Sequence, residues 1–323
     1  MARELKDRIL EHRFTVGLIQ FSKKLVLPGF DGISAFEVSK FFIKGIVDGA
    51  ISTRSGALAY SFFLAIFPAI IFLFTLIPYI PVETFHDELF GLMAEVLPAG
   101  VFEAIETTLS DIINKPRGGL LSLGFVLAMV FATNGVSSMM VEFNHTIHSN
   151  AHRSFIKHRW VALCLTLTIS VLLILAIVLV VLSKSVNMFF VEQGYISSTV
   201  AEWLAYSRWG ILIALLFFGI SFLYYFGPVK KTRYRFFSPG GILATVLIIV
   251  TSVAFSYYVG NFAQYNKLYG SIGTLIIILL WININSLSLL LGFELNASIT
   301  KARNENKDTL DSSIYVDITQ PLD

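Results

Sequence analysis

The residues in this 323-residue chain with the types and spacing for chemistry fall into four sets. The first is Glu142, His145, His148 and His152. On a helix the three histidines share one face with Glu142 a turn earlier, and imidazoles beside a carboxylate suit zinc. The same stretch holds Arg153, Lys157, His158 and Arg159, and Ser149-Asn150 can break the helix. A solvated basic face beside lipid headgroups is therefore the plainer reading, and neither a metal nor another cofactor is expected. The second set, Lys230, Lys231, Arg233 and Arg235, is basic with Tyr234 interleaved. Stacking plus phosphate contacts would suit RNA, but cytoplasmic loops between apolar runs need bases in any case. Headgroup contact is the preferred reading, with membrane lipids as partners and no nucleic acid. The third is Glu294, an acid at the edge of an apolar run. It could hold a proton, a cation or a headgroup amine, or simply pair with a neighbouring Lys or Arg. The fourth is the amide-rich run that precedes it.

That run, Tyr269 to Asn296, organises the chain. From Gly273 to Phe293 it has no charge and is long enough to cross a hydrocarbon core of ~30 Å as a helix. Asn283, Ser286 and Glu294 fall on one face; Asn285, Ser288, Gly292 and Asn296 fall on nearly the opposite one. A helix polar on two sides must sit between other helices, where amides find partners. It is the expected hub of a bundle.

Composition sets the class. The chain is 55% hydrophobic and 14% charged, with 29 Phe and a mean hydropathy of +0.72, against roughly 25% charged in a soluble domain. Its single cysteine, Cys164, offers neither a disulfide framework nor a thiolate metal site. The motifs of nucleophilic and metal-assisted hydrolysis (Gly-x-Ser-x-Gly, a phosphate-cradling glycine loop with Lys, His-Glu-x-x-His) do not occur, and no enzyme is expected. The fold class is all-α, a polytopic membrane protein.

In chain order, residues 1–33 read as a cytoplasmic N-terminal segment ending in the turn Leu27-Pro28-Gly29-Phe30-Asp31-Gly32. The N-terminus does not read as a cleavable signal. An amphipathic helix follows from Ser34 to Ile51, suited either to the membrane interface or to packing on its own bundle. Six spans are expected at about 57–82, 119–140, 160–182, 209–226, 240–259 and 273–293, within a domain of 34–299. Pro68 should kink the first. The connection 83–115 carries seven acids and two short amphipathic patterns that read as helices. Gly124, Ala128 and Ala132 give the second span a small-residue stripe for close contact. The third span, rich in Leu, Ile and Val, suits a lipid-facing position. Past Thr300 the tail, 300–323, is polar and acidic and is expected to be disordered. With six spans, 19 Lys and Arg lie on the side of both termini and 5 on the other, which places the termini in the cytoplasm.

Against these residues a resemblance emerges. The chain resembles the YihY/virulence factor BrkB family of bacterial inner-membrane proteins over about Leu27 to Ile299. It rests on A-L-A-Y-S-F-F-L-A-I-F-P (Ala57 to Pro68), on Y-F-G-P-V-K-K-T-R-Y-R with S-P-G-G (Tyr225 to Gly241), and on Y-G-S-I-G (Tyr269 to Gly273). L-L-L-G-F-E-L-N-A (Leu289 to Ala297) completes it. The resemblance implies a six-span protein of the bacterial inner membrane, tied to export or flipping of lipids or lipid-linked envelope molecules. The family also carries a ribonuclease BN label regarded as a misassignment, and its pattern does not include the histidines of 145–152.

The leading expectation is a transporter or lipid translocator, with Tyr60, Ser61, Asn134, Asn283, Asn285 and Glu294 along a polar path and Pro68 as its kink. The alternative is a non-transporting scaffold or regulator of envelope integrity, in which the same amides only lock helices together. Either can assemble as a homo-oligomer. A membrane-bound ribonuclease would depend on the three histidines.

Overall fold

The computed structural model describes residues 13–76, 118–145, 153–192, 197–229, 236–261 and 271–318. Among them are eight helices and no strand: α1 Arg13–Lys24, α2 Ala35–Asp48, α3 Ile51–Leu76, α4 Gly118–Asn144, α5 Phe155–Glu192, α6 Ser198–Phe226, α7 Pro239–Asn261 and α8 Ser271–Ile318. An apolar run in lipid has no water to satisfy its backbone, so it must close its hydrogen bonds internally, as a helix does. Among the described residues five stretches are long and apolar enough to cross a membrane: Leu121–Asn144, Phe155–Ala176, Tyr206–Phe226, Pro239–Tyr258 and Leu275–Asn306. The bent pair α2 and α3 makes a sixth if it is counted as one span. Pro68 stands inside α3 and is buried. The connection 83–115, with its two amphipathic patterns, lies outside the described residues, as does the end of the first expected span.

Local chemistry sets the helix ends. The turn before α2 needs left-handed backbone at Gly29 (φ 90°) and Gly32 (φ 84°), which glycine adopts without a Cβ penalty. Ser34 then caps α2, its Oγ accepting the Glu37 N–H at 3.3 Å. Ala50, at φ 46°, separates α2 from α3. Ser197 caps α6 through the Val200 N–H at 3.4 Å. Pro239 opens α7, where its missing N–H costs nothing.

The chain divides into two compact units. The first comprises Met1–Arg54, Met140–Val250 and Leu287–Asp323. Within it α5 and α6 pack along each other and α1 lies on α2. Leu167, Val171, Leu173, Ile174 and Leu175 of α5 are exposed, the pattern of a helix facing hydrocarbon. A small core of Phe30, Ile33, Val38, Ile299 and Ala302 joins the N-terminal turn to α8. Of the apolar residues of α2, Val38 is buried in this core, while Ile43 and Val47 remain exposed.

The second unit comprises Ser55–Met139 and Thr251–Ser286. Here the small-residue stripe of α4 works as expected at Gly124, where a Cβ would stand 3.3 Å from the Phe72 Cα. Gly135 similarly admits the ring of Phe62 at 3.0 Å.

One boundary corrects the sequence reading. The disordered tail expected at 300–323 is helical as far as Ile318, because α8 does not stop near Thr300. Ile299 and Ala302 are buried in the core with Phe30 and Val38. Arg303 donates to Asp31 at 2.9 Å, and Lys301 pairs with Glu305 one turn on. A polar composition predicts disorder only where no tertiary contact anchors the segment; here Ile299, Ala302 and Arg303 anchor the helix just past the apolar run.

Candidate functional site

In the first unit, the polar residues of α8 meet the ends of other helices. Glu294 is 1% exposed and Asn296 3%. The carboxyl of Glu294 lies against the backbone of α2 at Gly45. A Cβ there would stand 2.7 Å from Glu294 Cδ and 2.8 Å from its Cγ, and would overlap Oε1. Only glycine leaves room for this acid.

Arg54, in the first turn of α3, is also buried. Its Nε donates to Glu142 Oε2 at 3.0 Å, its Nη1 to the Gly49 carbonyl at 3.3 Å, and its Nη2 to the Glu142 carbonyl. Gly49, whose carbonyl Arg54 binds, caps α2 one turn beyond Gly45, against which Glu294 lies. The Arg54–Glu142 pair is well shielded, with side chains 10% and 19% exposed, so solvent screens it far less than a surface pair.

Around this charged set the contacts are locks. Asn296 Oδ1 accepts the Gly240 N–H at 2.8 Å, and its Nδ2 donates to Ser238 Oγ at 2.9 Å. Ser238 Oγ in turn accepts the Gly241 N–H at 3.1 Å. The first turn of α7 thereby finds partners for two of its orphan donors. Gly240 and Gly292 meet backbone to backbone: a Cβ on either would strike the other's carbonyl oxygen. Tyr224 of α6 donates to the Leu289 carbonyl at 2.5 Å. Its ring meets Phe143 and Phe293 edge-on, while those two stack with centroids 4.3 Å apart. Next to the end of α4, Asn144 Oδ1 accepts the Val229 N–H at 2.9 Å and Arg153 donates to the Pro228 carbonyl at 3.0 Å. Desolvation pulls the Arg153 guanidinium below its usual value; it stays charged because arginine begins so high.

The second unit holds the remaining path candidates. Ser55 Oγ donates to Asn283 Oδ1 at 3.4 Å. Ser61 Oγ lies 3.2 Å from Ser138 Oγ and donates to its own helix at the Ala57 carbonyl. Asn285 Nδ2 donates to the Trp281 carbonyl one turn back, at 2.7 Å. Asn134 is half-buried and Tyr60 is exposed. Tyr60, Ser61, Asn134, Asn283 and Asn285 do not bond one another. Of the histidine set, His145 is exposed, whereas His148 and His152 lie outside the described residues. Lys230, Lys231, Arg233 and Arg235 do so as well.

Sequence reasoning passed over Arg54 and Gly45. A lone arginine in the first turn of a helix looks like an interface anchor, and nothing in its neighbourhood advertises a partner 88 residues away. A signal did exist for the rest. The S-P-G-G and G-F-E-L-N stretches, quoted above for the resemblance, are brought together at Ser238-Pro239-Gly240 and Gly292–Asn296.

Comparison with known proteins places the chain. The model of the family described as Virulence factor BrkB matches residues 42–313. The ribonuclease-like protein YfkH of Bacillus subtilis (strain 168) is 33% identical over 251 residues, covering 78% of this chain and 90% of YfkH. UPF0761 membrane proteins of Xanthomonas are more distant. One from X. campestris pv. campestris (strain B100) is 24% identical over 270 residues, and one from X. oryzae pv. oryzae (strain PXO99A) is 25% identical over 266. This chain spans 61% of the length of each. No solved structure matches.

Proposed function

Because the chain belongs to the virulence factor BrkB family of membrane proteins, we propose that it translocates a lipid or lipid-linked envelope molecule across the bacterial inner membrane. Both termini would lie in the cytoplasm, and lipid headgroups would be its partners. The observation that carries this reading is a pair of buried ionisable side chains, Glu294 against α2 and Arg54 bonded to the half-buried Glu142. Charges sequestered among membrane helices are costly, and working sites are where that cost is tolerated. Lys230, Lys231, Arg233 and Arg235 would meet headgroup phosphates on the way in.

The test is movement of reporter lipids between leaflets in proteoliposomes, comparing the wild type with Asn283→Leu and Glu294→Ala. Movement supported by the wild type and lost in Glu294→Ala is expected. No movement above empty liposomes, across several headgroups and with an ion gradient imposed, would overturn the proposal.

The bonds made by Asn296, Asn283 and Asn285 favour a second reading, a non-transporting scaffold, since each amide is engaged in holding helices or backbone. Under it, Asn283→Leu loosens the protein without touching any flux. The name of YfkH brings one activity to check. Purified protein is expected to leave RNA intact, and degradation lost on replacing His145, His148 and His152 would establish a nuclease instead.

A further inference from the structure

We propose that the start of α5 holds one anionic phospholipid, its phosphate beside Arg153 and Lys157 and an acyl chain along Trp160, Leu167 and Val171. This lipid is a resident of the protein boundary and not cargo, so the inference stands apart from translocation.

The period of α5 gives it two faces. Ala162, Leu165 and Thr166 are buried, and the helix packs along α6. Lys157, Trp160, Cys164, Leu167 and Val171, spaced three and four residues apart, are all exposed. They form one continuous stripe, basic at its start and apolar beyond. The stripe lies in Phe155–Ala176, a stretch apolar enough to cross a membrane, so its neighbour is lipid. A ligand that follows it from end to end must be amphipathic, with its polar group at Lys157.

The polar group must also be an anion. Arg153, four residues before Lys157, gives its Nη2 to the neutral carbonyls of Pro228 and Phe226, at 3.0 and 3.5 Å, and its buried Nη1 has no acceptor. Among the described residues no carboxylate pairs with Arg153, Lys157 or Arg159. The surrounding sequence is short of acids. No Asp or Glu occurs from Phe143 to Val191, or from Trp203 to Phe293. Glu142 is bonded to Arg54 and Glu294 is seated against α2. Glu192 ends α5, roughly 50 Å along the helix from Lys157. His145 and the sequence stretches 146–152 and 230–235 bring no negative charge either. Uncompensated bases beside a bilayer draw anionic headgroups, and a phospholipid supplies the missing charge and the apolar tail in one molecule.

The test is native mass spectrometry of the purified full-length protein in detergent, titrated with phosphatidylglycerol, with phosphatidylcholine and with glycerol phosphate. It moves no lipid between leaflets, so a failed translocation assay and a failed lipid site are separate results. The wild type is expected to retain one phosphatidylglycerol per chain where phosphatidylcholine leaves it bare. Glycerol phosphate, which lacks a tail, is expected not to compete. Lys157→Gln should weaken retention about fivefold, and Trp160→Ala should weaken it through the tail. Both side chains are exposed, so neither change disturbs the packing on α6. Lys44→Gln on α2, which removes the same charge elsewhere, should leave retention unchanged. Equal retention of the two lipids overturns the anionic site. Displacement by glycerol phosphate overturns the lipid in favour of a soluble anion. Retention that survives Lys157→Gln, or falls equally in Lys44→Gln, overturns the placement at α5.

Discussion

At the scale of single residues, glycine decides where polar groups can go. Gly45 is not a helix breaker that chanced to survive; it is the recess that seats the Glu294 carboxyl. Gly45→Ala must therefore push the acid out or spread two helices, and overpacking of this kind costs ~1–3 kcal/mol. Gly210 has open space where its Cβ would be. Gly210→Ala should be neutral or stabilising by up to ~1 kcal/mol, since alanine is the better helix former. Thermal unfolding of the two variants in detergent should move in opposite directions or leave only Gly45→Ala destabilised. Gly292→Ala should be worse than Tyr224→Phe. The former meets Gly240, the Tyr224 hydroxyl at 2.6 Å and the Ala244 Cβ at 2.7 Å, whereas the latter loses one hydrogen bond of ~1 kcal/mol.

At the scale of elements, side chains finish what the helices leave open. Asn296 supplies partners at the start of α7, a job usually done by a residue adjacent in sequence. Asn296→Leu leaves a buried N–H unsatisfied, at a cost of ~1–3 kcal/mol. Hydrogen exchange at Gly240 and Gly241 should quicken in that variant and stay unchanged along α5. Whether α8 was legible depends on which part is considered. Its two-sided polarity was readable from Ser286, Ser288, Glu294 and Asn296, because a helical period translates directly into faces, and all four are buried. Its continuation past Thr300 was not. That depends on Phe30, Ile33 and Val38, which come more than 260 residues earlier and whose approach no local pattern encodes. The same limit hid Arg54, whose partner was singled out from sequence only as a possible metal ligand.

At the scale of the whole molecule, membrane class and family followed from composition and four short stretches, whereas site chemistry needed coordinates. Hydropathy is summed over a span and survives local error; an ion pair depends on two atoms meeting. Two further outcomes are expected here. A chain ending before Ile299 loses the cover over Phe30 and Val38, so limited proteolysis should cut it near residues 25–33 while sparing the full-length protein. Reversing the Asp31–Arg303 pair by exchanging the two residues should restore most of what either single change removes. The amount is small, up to ~1 kcal/mol, because both side chains are partly solvated. The orientation proposal has its own check: an impermeant thiol reagent should reach a cysteine placed near the C-terminus from inverted vesicles and not from right-side-out ones.

The amide at 296 also has a consequence for manufacture. The ribosome makes the chain from its N-terminus, so the start of α7 leaves the exit tunnel 56 residues before the side chain that satisfies it. Until then Gly240 must borrow water or lipid headgroups. The joint between α7 and α8 therefore closes late in synthesis, and a nascent chain stalled before Asn296 would present an open α7 to whatever insertion machinery still holds it.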